Sequence, residues 1–386
     1  MYRGYKPSCK HFLQGITKGL TAFGIYTCLV NGMRTGLKRV LYLSIYNAGI
    51  SPSQRFRIEQ FIPALQAAGI SIRQYSYFSN AVKGSNIKAL PWYKMFWHLS
   101  WGYARMWRGV IMARRYQAVF IQRELCPLGP PLHEWAIHYI LRKPFIYDFD
   151  DAIWLPNNEQ KHLLGFLKCS WKTAWHITHA RKVIAGNAYL LNYALALNAQ
   201  SICIPTVLPV NHYKRTAAAA PTTLGWTGTY TTLPYLLALE PVLMALQQKY
   251  PIRILVICNR RPAFTHLAFE YRPWQAESEI QDVAEIDIGL MPQPDNAWTQ
   301  GKCGFKLIQY MALGICPVAA NSSLHRHILH QGAAGRLCNT AMQWQAVLQE
   351  LIENPALRQS LGQNARARQQ AMFSTQAHVN NVISVF

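Results

Sequence analysis

Short apolar runs alternate along this chain with segments of helical spacing, and this alternation limits the possible folds more than any other feature. The run 39–46 ends in an Asn-Ala-Gly turn, as a strand buried on both faces of a parallel sheet does. The next segment, 53–68, has apolar residues at helical spacing and stops at Gly69, before a second strand over 70–75. Repetition of this pattern predicts an α/β protein with parallel sheets covered by helices on both faces.

Two series of this kind follow each other, and a chain of 386 residues is long enough for two cores of ordinary domain size. The first series continues with strands predicted at 118–122, 144–150, 182–185 and 201–205. The second contains strands predicted at 222–227, 252–258, 286–290 and 315–319. A stretch rich in Ala and Thr, without large apolar residues, separates them as an interdomain linker does.

The predicted organisation therefore has five parts. They are an N-terminal extension over 1–36, a doubly wound Rossmann-like domain over 37–213, a linker over 214–221, a second such domain over 222–365, and a C-terminal helix over 366–386 that can pack back on the first domain. Ligands of open α/β sheets bind at the carboxyl ends of the strands. A cleft between the two domains is the predicted place for chemistry.

The formal charge of +22 is concentrated near the start, where residues 1–120 hold 17 lysines and arginines against one acid, Glu59. Nucleic acid, an anionic membrane face and a phosphorylated acceptor would each suit such a surface. No nucleic-acid-binding module is recognisable, so a nucleic-acid partner is not expected. The apolar run 20–30 is too short to span a membrane, and we expect 1–32 to be a dispensable tail and any membrane contact to be peripheral.

The stretch 91–115 mixes aromatic residues with lysine and arginine. This composition suits a membrane interface, and it equally suits an amphipathic helix that packs under the sheet. The nine cysteines form no Cys-x-x-Cys pair, which favours a reducing cytosol and gives no thiolate zinc site. The histidines at 325, 327 and 330 lack an accompanying carboxylate or thiolate, so no metal site is predicted.

Seven motifs between residues 40 and 320 occur in an order that is more specific than any one of them: SIYNAGISPSQRFR, QRELCPLGPP, YDFDDAIW, IAGN, WTGTYTTLPYL, DIGLMP and GKCGFKLIQYMALGICPV. On these motifs the chain resembles family 4 retaining glycosyltransferases, in particular a bacterial subgroup. The resemblance implies the GT-B architecture, in which two Rossmann-like domains face a central cleft, the first for the acceptor and the second for the donor nucleotide.

The activity implied by the resemblance is transfer of a sugar from a nucleoside-diphosphate sugar to a lipid-linked or polysaccharide acceptor, with retention of configuration, in bacterial surface glycan synthesis. The implied location is the cytoplasm, at the inner face of the cytoplasmic membrane. No cofactor or metal is expected beyond the donor substrate.

One departure from the family pattern concerns its two glutamates, which lie eight positions apart as Glu-x7-Glu. This chain has Gly301 and Gln309 at those positions. An inactive nucleotide- or glycan-binding protein on the same scaffold is therefore the alternative hypothesis.

The segment 301–314 is the strongest candidate for binding a diphosphate. Gly301 and Gly304 allow close approach of the backbone, the following helix presents free N–H groups, and Lys302 and Lys306 lie near that end. Fixed cations there would stabilise charge that develops on the leaving phosphate, and both lysines are predicted to be catalytic. The alternative is a basic surface turn that caps an ordinary helix.

Further donor contacts are expected around this segment. Gly228, Thr229 and Thr232 follow a strand and precede a helix, as in a second phosphate cradle. Residues predicted to shape the donor pocket are Asp287, Met291, Pro292, Trp298, Phe305 and Gln309. Glu277 and Glu279 are interpreted as a solvated helix face.

Three aspartates cluster at a strand end in the first domain, in a chain with only 17 acids. Asp150 and Asp151 are predicted to be catalytic, because adjacent carboxylates stabilise oxocarbenium charge or accept the proton of the acceptor. The alternative is that they cap the next helix. The residues predicted to bind the acceptor are Gly49, Ser53, Arg55, Arg57, Arg123, Glu124 and Asp148. For Arg123 and Glu124 a structural ion pair is slightly favoured.

Overall fold

Two six-stranded parallel sheets organise this protein, whose computed structural model describes residues 38–79, 90–155, 165–215 and 221–386. The predicted extension 1–36 and most of the predicted linker lie outside the described residues. Lys38–Phe386 form one compact unit. The predicted α/β class, with two doubly wound sheets in tandem, is confirmed.

The first sheet has the strand order β2-β1-β3-β4-β5-β6. This sheet and its helices are called the acceptor lobe, after the role that the family resemblance implies. Its strands are β1 (Lys38–Ser44), β2 (Ile70–Ser76), β3 (Ala118–Gln122), β4 (Phe145–Phe149), β5 (Lys182–Ala185) and β6 (Ser201–Cys203). Its helices are α1 (Pro52–Arg57), α2 (Ile62–Ala67), α3 (Trp92–Ala113), α4 (Leu132–Trp135), α5 (Lys172–His179) and α6 (Ala188–Leu195). The central strands β3 and β4 are buried along their whole length, as strands covered on both faces must be.

The second sheet has the order β12-β11-β10-β7-β8-β9. This sheet and its helices are called the donor lobe, again after the role that the resemblance implies. Its strands are β7 (Thr223–Gly228), β8 (Arg253–Cys258), β9 (Glu270–Pro273), β10 (Ile288–Met291), β11 (Cys316–Ala320) and β12 (Arg336–Cys338). Its helices, in chain order, are α7 (Leu233–Leu237), α8 (Glu240–Lys249), α9 (Glu279–Ala284), α10 (Ala297–Gln300), α11 (Phe305–Ala312), α12 (Ser323–Ile328), α13 (Ala341–Glu353) and α14 (Pro355–Met372).

The last helix, α15 (Thr375–Val385), belongs to neither series and lies on the acceptor lobe. Its Val382 and Val385 are buried in the same core as Val40 of β1, and the ring of Phe386 stacks on Phe120 with centroids 5.6 Å apart. The expected boundary at 365 falls inside α14, so the segment that returns to the acceptor lobe begins only after Met372.

The chain thus crosses between the lobes twice, and the two crossings are hydrogen bonded to each other. The amide of Leu208, on the outward crossing, donates to the carbonyl oxygen of Phe373 on the return crossing at 3.0 Å. The side-chain amide of Gln369 donates to the carbonyl oxygen of Leu208 at 3.2 Å. Leu208 and Ser374 also form an isolated parallel bridge.

Local structure departs from the predicted elements in two ways. The predicted helix 53–68 is broken into α1, a 3-10 turn (Glu59–Phe61) and α2, and Pro63 lies in the first turn of α2, where its missing N–H costs nothing. The strands β9 and β12 were not predicted, because both are short edge strands and most of their residues are only partly buried. Among the described helices, none is long and apolar enough to cross a membrane.

Candidate functional site

The loop 301–304 of the donor lobe lies directly against the strand ends of the acceptor lobe. The side-chain amide of Asn187, which follows β5, donates to the carbonyl oxygens of Gln300 and Lys302 at 2.9 and 2.7 Å. A Cβ atom on Gly301 would lie 2.3 Å from the Cβ of Ala152, so only glycine fits between the lobes at this position. The predicted anion-binding segment therefore faces the acceptor lobe.

Lys306 lies on the first turn of α11, where the helix presents unbonded amides. Its ammonium donates to the hydroxyl of Thr232 at 3.2 Å and lies 4.4 Å from the ring centroid of Trp226. None of the ion pairs among the described residues includes this ammonium. Burial, and secondarily the charge of Lys302, lower the pKa of Lys306 to about 7. A partly buried cation without an anionic partner is destabilised, and a bound anion would remove that cost.

The backbone next to Lys306 presents free amides that such an anion could bind. Gly304 has the left-handed conformation (φ 64°) that starts α11, and the first intrahelical bond of the helix is the one from the amide of Ile308 to Gly304. The preceding amides of the first turn point out of the helix end without intrahelical acceptors. A Cβ atom on Gly228 would lie 2.4 Å from the ring of Trp226 and 2.7 Å from the ammonium nitrogen of Lys306, so glycine at this position lets both side chains lie against the end of β7.

The loop after β7 completes the donor-lobe wall of the site. The hydroxyls of Thr229 and Thr231 are 2.8 Å apart, and the amide of Tyr230 donates to the side chain of Asn259 at 2.9 Å. Asn259 follows the neighbouring strand β8 and was not predicted from the sequence. Its position directly after a buried strand was the feature that could have identified it.

Lys302 belongs to a chain of charges that joins the lobes. Its ammonium lies 3.7 Å from a carboxylate oxygen of Asp151 and 4.6 Å from the ring centroid of Trp298. Arg123 bridges Asp151 and Asp150, with 2.6 Å to the latter. The sequence prediction thus placed Asp150, Asp151 and Lys302 in the site, and the structure brings the three together.

The carboxylate of Asp150 is held in its ionised form. Burial alone would raise its pKa, but the Arg123 guanidinium outweighs that effect, and the hydroxyl of Ser53 donates a further hydrogen bond at 2.6 Å, so the pKa of Asp150 lies below its ordinary value. Arg123 has a positive φ of 59°, which is uncommon for a residue with a side chain. This backbone conformation occurs directly after β3, in the residue whose side chain bridges the two aspartates.

Three other predicted site residues have structural roles. Arg57 and Asp148 form an ion pair at 2.5 Å, with each side chain only 1% exposed, so neither is available to an acceptor. Asp287 lies at the amino end of β10, away from the site, where it pairs with Arg215 at 2.7 Å and accepts from the amide of Thr223. The prediction that Arg57 and Asp148 bind acceptor and that Asp287 shapes the donor pocket is corrected accordingly.

Two further assignments change for the same kind of reason. Glu124 pairs with the buried Lys172 at 2.6 Å rather than with Arg123, and Arg123 pairs with Asp150 and Asp151, so the expected Arg123–Glu124 ion pair is not formed. Glu279 was interpreted as solvated, but it is buried, and its carboxylate accepts from the side-chain amide of Gln309 at 3.0 Å. Arg55 reaches this carboxylate from the acceptor lobe at 3.3 Å.

The remaining predicted residues line the same region or its margins. Met291 is the last residue of β10 and is buried, and Pro292 follows it. The ring of Phe305 packs on Phe56 of the acceptor lobe with centroids 4.6 Å apart. Gly49 has φ 79°, and its amide donates to Glu59 at 2.9 Å in an exposed turn.

A cavity of about 320 Å³ opens at the carboxyl ends of β1 and β2. It is lined by Asn47, Ala48, Gln74, Tyr75, Ser76 and Arg105. The guanidinium of Arg105 lies over the ring of Tyr75 and donates to the carbonyl oxygen of Ser76 at 2.8 Å. The loop 47–53 after β1 is a predicted contact for acceptor or donor phosphates, but its association with Arg105 is not predictable from the sequence, because Arg105 lies in a helix that is distant along the chain from the strand ends.

A metal site is not evident in the described ranges, which contain no group of three or more suitable His, Cys, Asp or Glu side chains. His325, from the histidine cluster noted in the sequence, is buried, and its Nδ1 lies 2.7 Å from the carbonyl oxygen of Ala320. One of the two ring nitrogens of His325 is therefore engaged by a backbone carbonyl oxygen.

Comparison with known proteins identifies the fold. No protein-family model matches the sequence, and no curated protein sequence matches it. Among solved structures, sucrose-phosphate synthase from Thermosynechococcus elongatus is similar with a TM-score of 0.65 at 14% identity, covering 90% of this chain and 98% of that chain. A glycosyltransferase from Rickettsia africae is similar with a TM-score of 0.65 at 12% identity, covering 91% and 98%.

A third similar structure is HepE from Anabaena in complex with UDP and glucose, with a TM-score of 0.58 at 14% identity, covering 90% of this chain and 98% of that chain. These likenesses extend over both lobes. The chain therefore has the GT-B fold of nucleotide-sugar glycosyltransferases, as predicted.

The Arg57–Asp148 pair gives a test of the structural role assigned to it. Arg57→Met leaves the Asp148 carboxylate buried without its partner, and we expect the free energy of unfolding to fall by about 3–5 kcal/mol. The double variant Arg57→Met/Asp148→Leu removes both charges and should recover most of that loss. Urea denaturation measures both values. An Arg57→Met variant of unchanged stability would contradict the structural role.

Proposed function

We propose that this protein is a glycosyltransferase that moves a sugar from a nucleoside-diphosphate sugar to a glycan or lipid-linked acceptor. The observation that supports this most is the ammonium of Lys306, which has no carboxylate partner in the described part of the chain and lies beside Gly228 and the amides that begin α11. A diphosphate has the charge and the multiple acceptor oxygens that such a group requires.

The proposed reaction breaks the bond between the anomeric carbon and the oxygen of the β-phosphate, and the bonding electrons remain on that oxygen. Lys306 and the amides of α11 stabilise the negative charge that develops there, and Lys302 adds a second cation. The acceptor hydroxyl attacks the anomeric carbon on the face that the diphosphate leaves, and its proton passes to the departing phosphate oxygen. This course gives retention of configuration, which rests on the resemblance to family 4.

Asp150 and Asp151 are proposed to act on the sugar side of the diphosphate. Both lie beside the loop 301–304, and Asp150 is held ionised by Arg123. Carboxylates in this position stabilise the positive charge that spreads over the sugar ring as the bond breaks. Their contribution is electrostatic, since neither carboxylate has to form a bond.

The family glutamates that this chain lacks have neighbours that can replace them. Asp151 lies 3.7 Å from the ammonium of Lys302, next to position 301, and Glu279 is hydrogen bonded to Gln309. Each missing carboxylate is therefore matched by one from another segment. This arrangement favours an active enzyme.

The alternative, a nucleotide- or glycan-binding protein without turnover, is favoured by a single observation. Gly301 is packed so closely on Ala152 that a glutamate cannot occupy position 301 while the lobes have this arrangement. In such a protein the donor would bind and the glycosidic bond would stay intact. Assays of diphosphate release separate the two functions.

The acceptor is proposed to enter the cavity at the ends of β1 and β2, where Arg105 and the amide side chains offer partners for hydroxyls and for an anionic group. Two proteins of similar fold support this choice: one is described as the lipopolysaccharide outer core galactosyltransferase WaaB, and a variant of TarM is described in complex with UDP, fondaparinux and α-GlcNAc-glycerol. We propose a role in bacterial surface glycan synthesis, at the cytoplasmic face of an anionic membrane.

Removal of the Lys306 ammonium tests the donor site. Loss of a charge-assisted bond to phosphate should weaken nucleoside-diphosphate binding by about tenfold to hundredfold in Lys306→Ala, which corresponds to about 1.5–3 kcal/mol. Calorimetric titration with uridine and guanosine diphosphates measures the binding, and release of diphosphate from the matching sugar nucleotides measures turnover. Lys249→Ala, which removes an exposed lysine of α8, is the matched control. Equal binding by Lys306→Ala and the wild type would refute the assignment.

The pH dependence of binding gives a second test of the same group. The pKa of Lys306 is about 7 in the free protein, and a bound diphosphate must raise it, because opposite charge favours the protonated form. Above pH 7 binding therefore takes up a proton, and the affinity falls as the pH rises from 7 to 9, by up to about tenfold per pH unit. In Lys306→Arg the guanidinium stays protonated, so the profile should be flat. A flat profile in the wild type would exclude this linkage.

A further inference from the structure

The first two turns of α3 project from the acceptor lobe. Residues 91–97 are all exposed, whichever face of the helix they occupy. The buried residues of α3 begin only at Gly102, which packs so closely on Tyr77 that a Cβ atom would lie 2.2 Å from its ring. The helix is therefore fixed to the sheet by its later turns.

The direction of this projection follows from two hydrogen bonds. The hydroxyl of Tyr77, just after β2, donates to the carbonyl oxygen of Leu99 at 2.5 Å, and Arg105 donates to Ser76 at the end of β2. The carboxyl end of β2 is thus level with residues 99–105 of α3. Because the helix runs back along the sheet, its first seven residues extend about 10 Å beyond the strand ends, at 1.5 Å per residue.

The projecting end is aromatic and basic. Trp92, Tyr93, Phe96 and Trp97 are 77%, 55%, 68% and 67% exposed. Lys94 lies among them, and α3 contains two further cations, Arg105 and Arg108, and no acid. Large aromatic side chains exposed together in water indicate a surface that a partner covers.

We propose that the projecting end of α3 docks the protein on an anionic lipid bilayer, with its aromatic side chains in the headgroup layer. A rigid protein face could cover one side of the helix, whereas these residues are exposed on every side. The headgroup region of a bilayer surrounds an inserted helix end completely, and aromatic side chains favour that depth. The cations of the same helix match the negative charge of the lipid surface.

This docking mode defines the acceptor class, a step that rests on the proposed function. Arg105 of the same helix lines the cavity at the ends of β1 and β2. Insertion of the projecting end therefore brings the strand ends that border the cavity towards the bilayer surface. An acceptor anchored in that bilayer can present its headgroup there, so the acceptor is lipid-linked rather than a free glycan.

Flotation of the full-length protein with lipid vesicles tests the docking surface. We expect binding to vesicles of phosphatidylcholine mixed with phosphatidylglycerol and much weaker binding to phosphatidylcholine alone. The triple variant Trp92→Ser/Phe96→Ser/Trp97→Ser should bind the mixed vesicles at least about tenfold more weakly, because it loses most of its insertable aromatic area. Met342→Ser, which changes a residue 81% exposed on α13 of the donor lobe, is the control and should bind as the wild type does.

The unfolding midpoint of each variant and its affinity for uridine and guanosine diphosphates are measured alongside. Lys94→Glu reverses a charge at the projecting end without removing an aromatic side chain and should also weaken binding to the anionic vesicles. The proposed docking surface is refuted if the wild type does not float with anionic vesicles, or if the triple variant floats equally well. It is also refuted if the wild type self-associates without binding lipid and the triple variant loses that self-association. Vesicle binding without any nucleotide binding would support the docking surface and refute the proposed glycosyltransferase function.

Discussion

The packing of loop 301–304 between the lobes is the constraint on which the site depends. Gly301 contacts Ala152 so closely that a larger side chain fits at neither position. The side chain of Asn187 donates hydrogen bonds to two carbonyl oxygens of the loop and holds it in place. Because this loop leads directly into α11, the same contacts orient the helix end and Lys306 towards the strand ends of the donor lobe. The geometry of the anion site is therefore set by a contact with the other lobe.

The two lysines of the segment have different electrostatic environments. Lys302 is near Asp151, whose charge is shared with Arg123, so its positive charge is partly compensated before any ligand arrives. Lys306 lies in a less polar environment between Trp226 and Thr232 and has a depressed pKa. A partly buried charge without an anionic partner interacts more strongly with an anion than a compensated charge does. For this reason we propose Lys306 as the more important of the pair for binding a diphosphate.

Much of the fold and part of the candidate site could be predicted from the sequence. The buried strands were predictable because continuous apolar runs are required wherever a strand is covered on both faces, and Asp150 directly follows one of these runs, at the end of β4. The short edge strands β9 and β12 lack that pattern. Long-range pairing is also absent from the sequence: nothing local shows that Arg57 meets Asp148 or that Glu279 meets Gln309, because these contacts depend on how the sheets and lobes pack.

The paired crossings between the lobes have a mechanical consequence. A single linker would let the lobes both bend and twist, but here Leu208 and Phe373 bind two chain segments side by side. Such a double strap bends about an axis that runs through both segments, and it resists rotation about its own length. The paired crossings therefore favour bending over twisting as the relative motion of the two lobes.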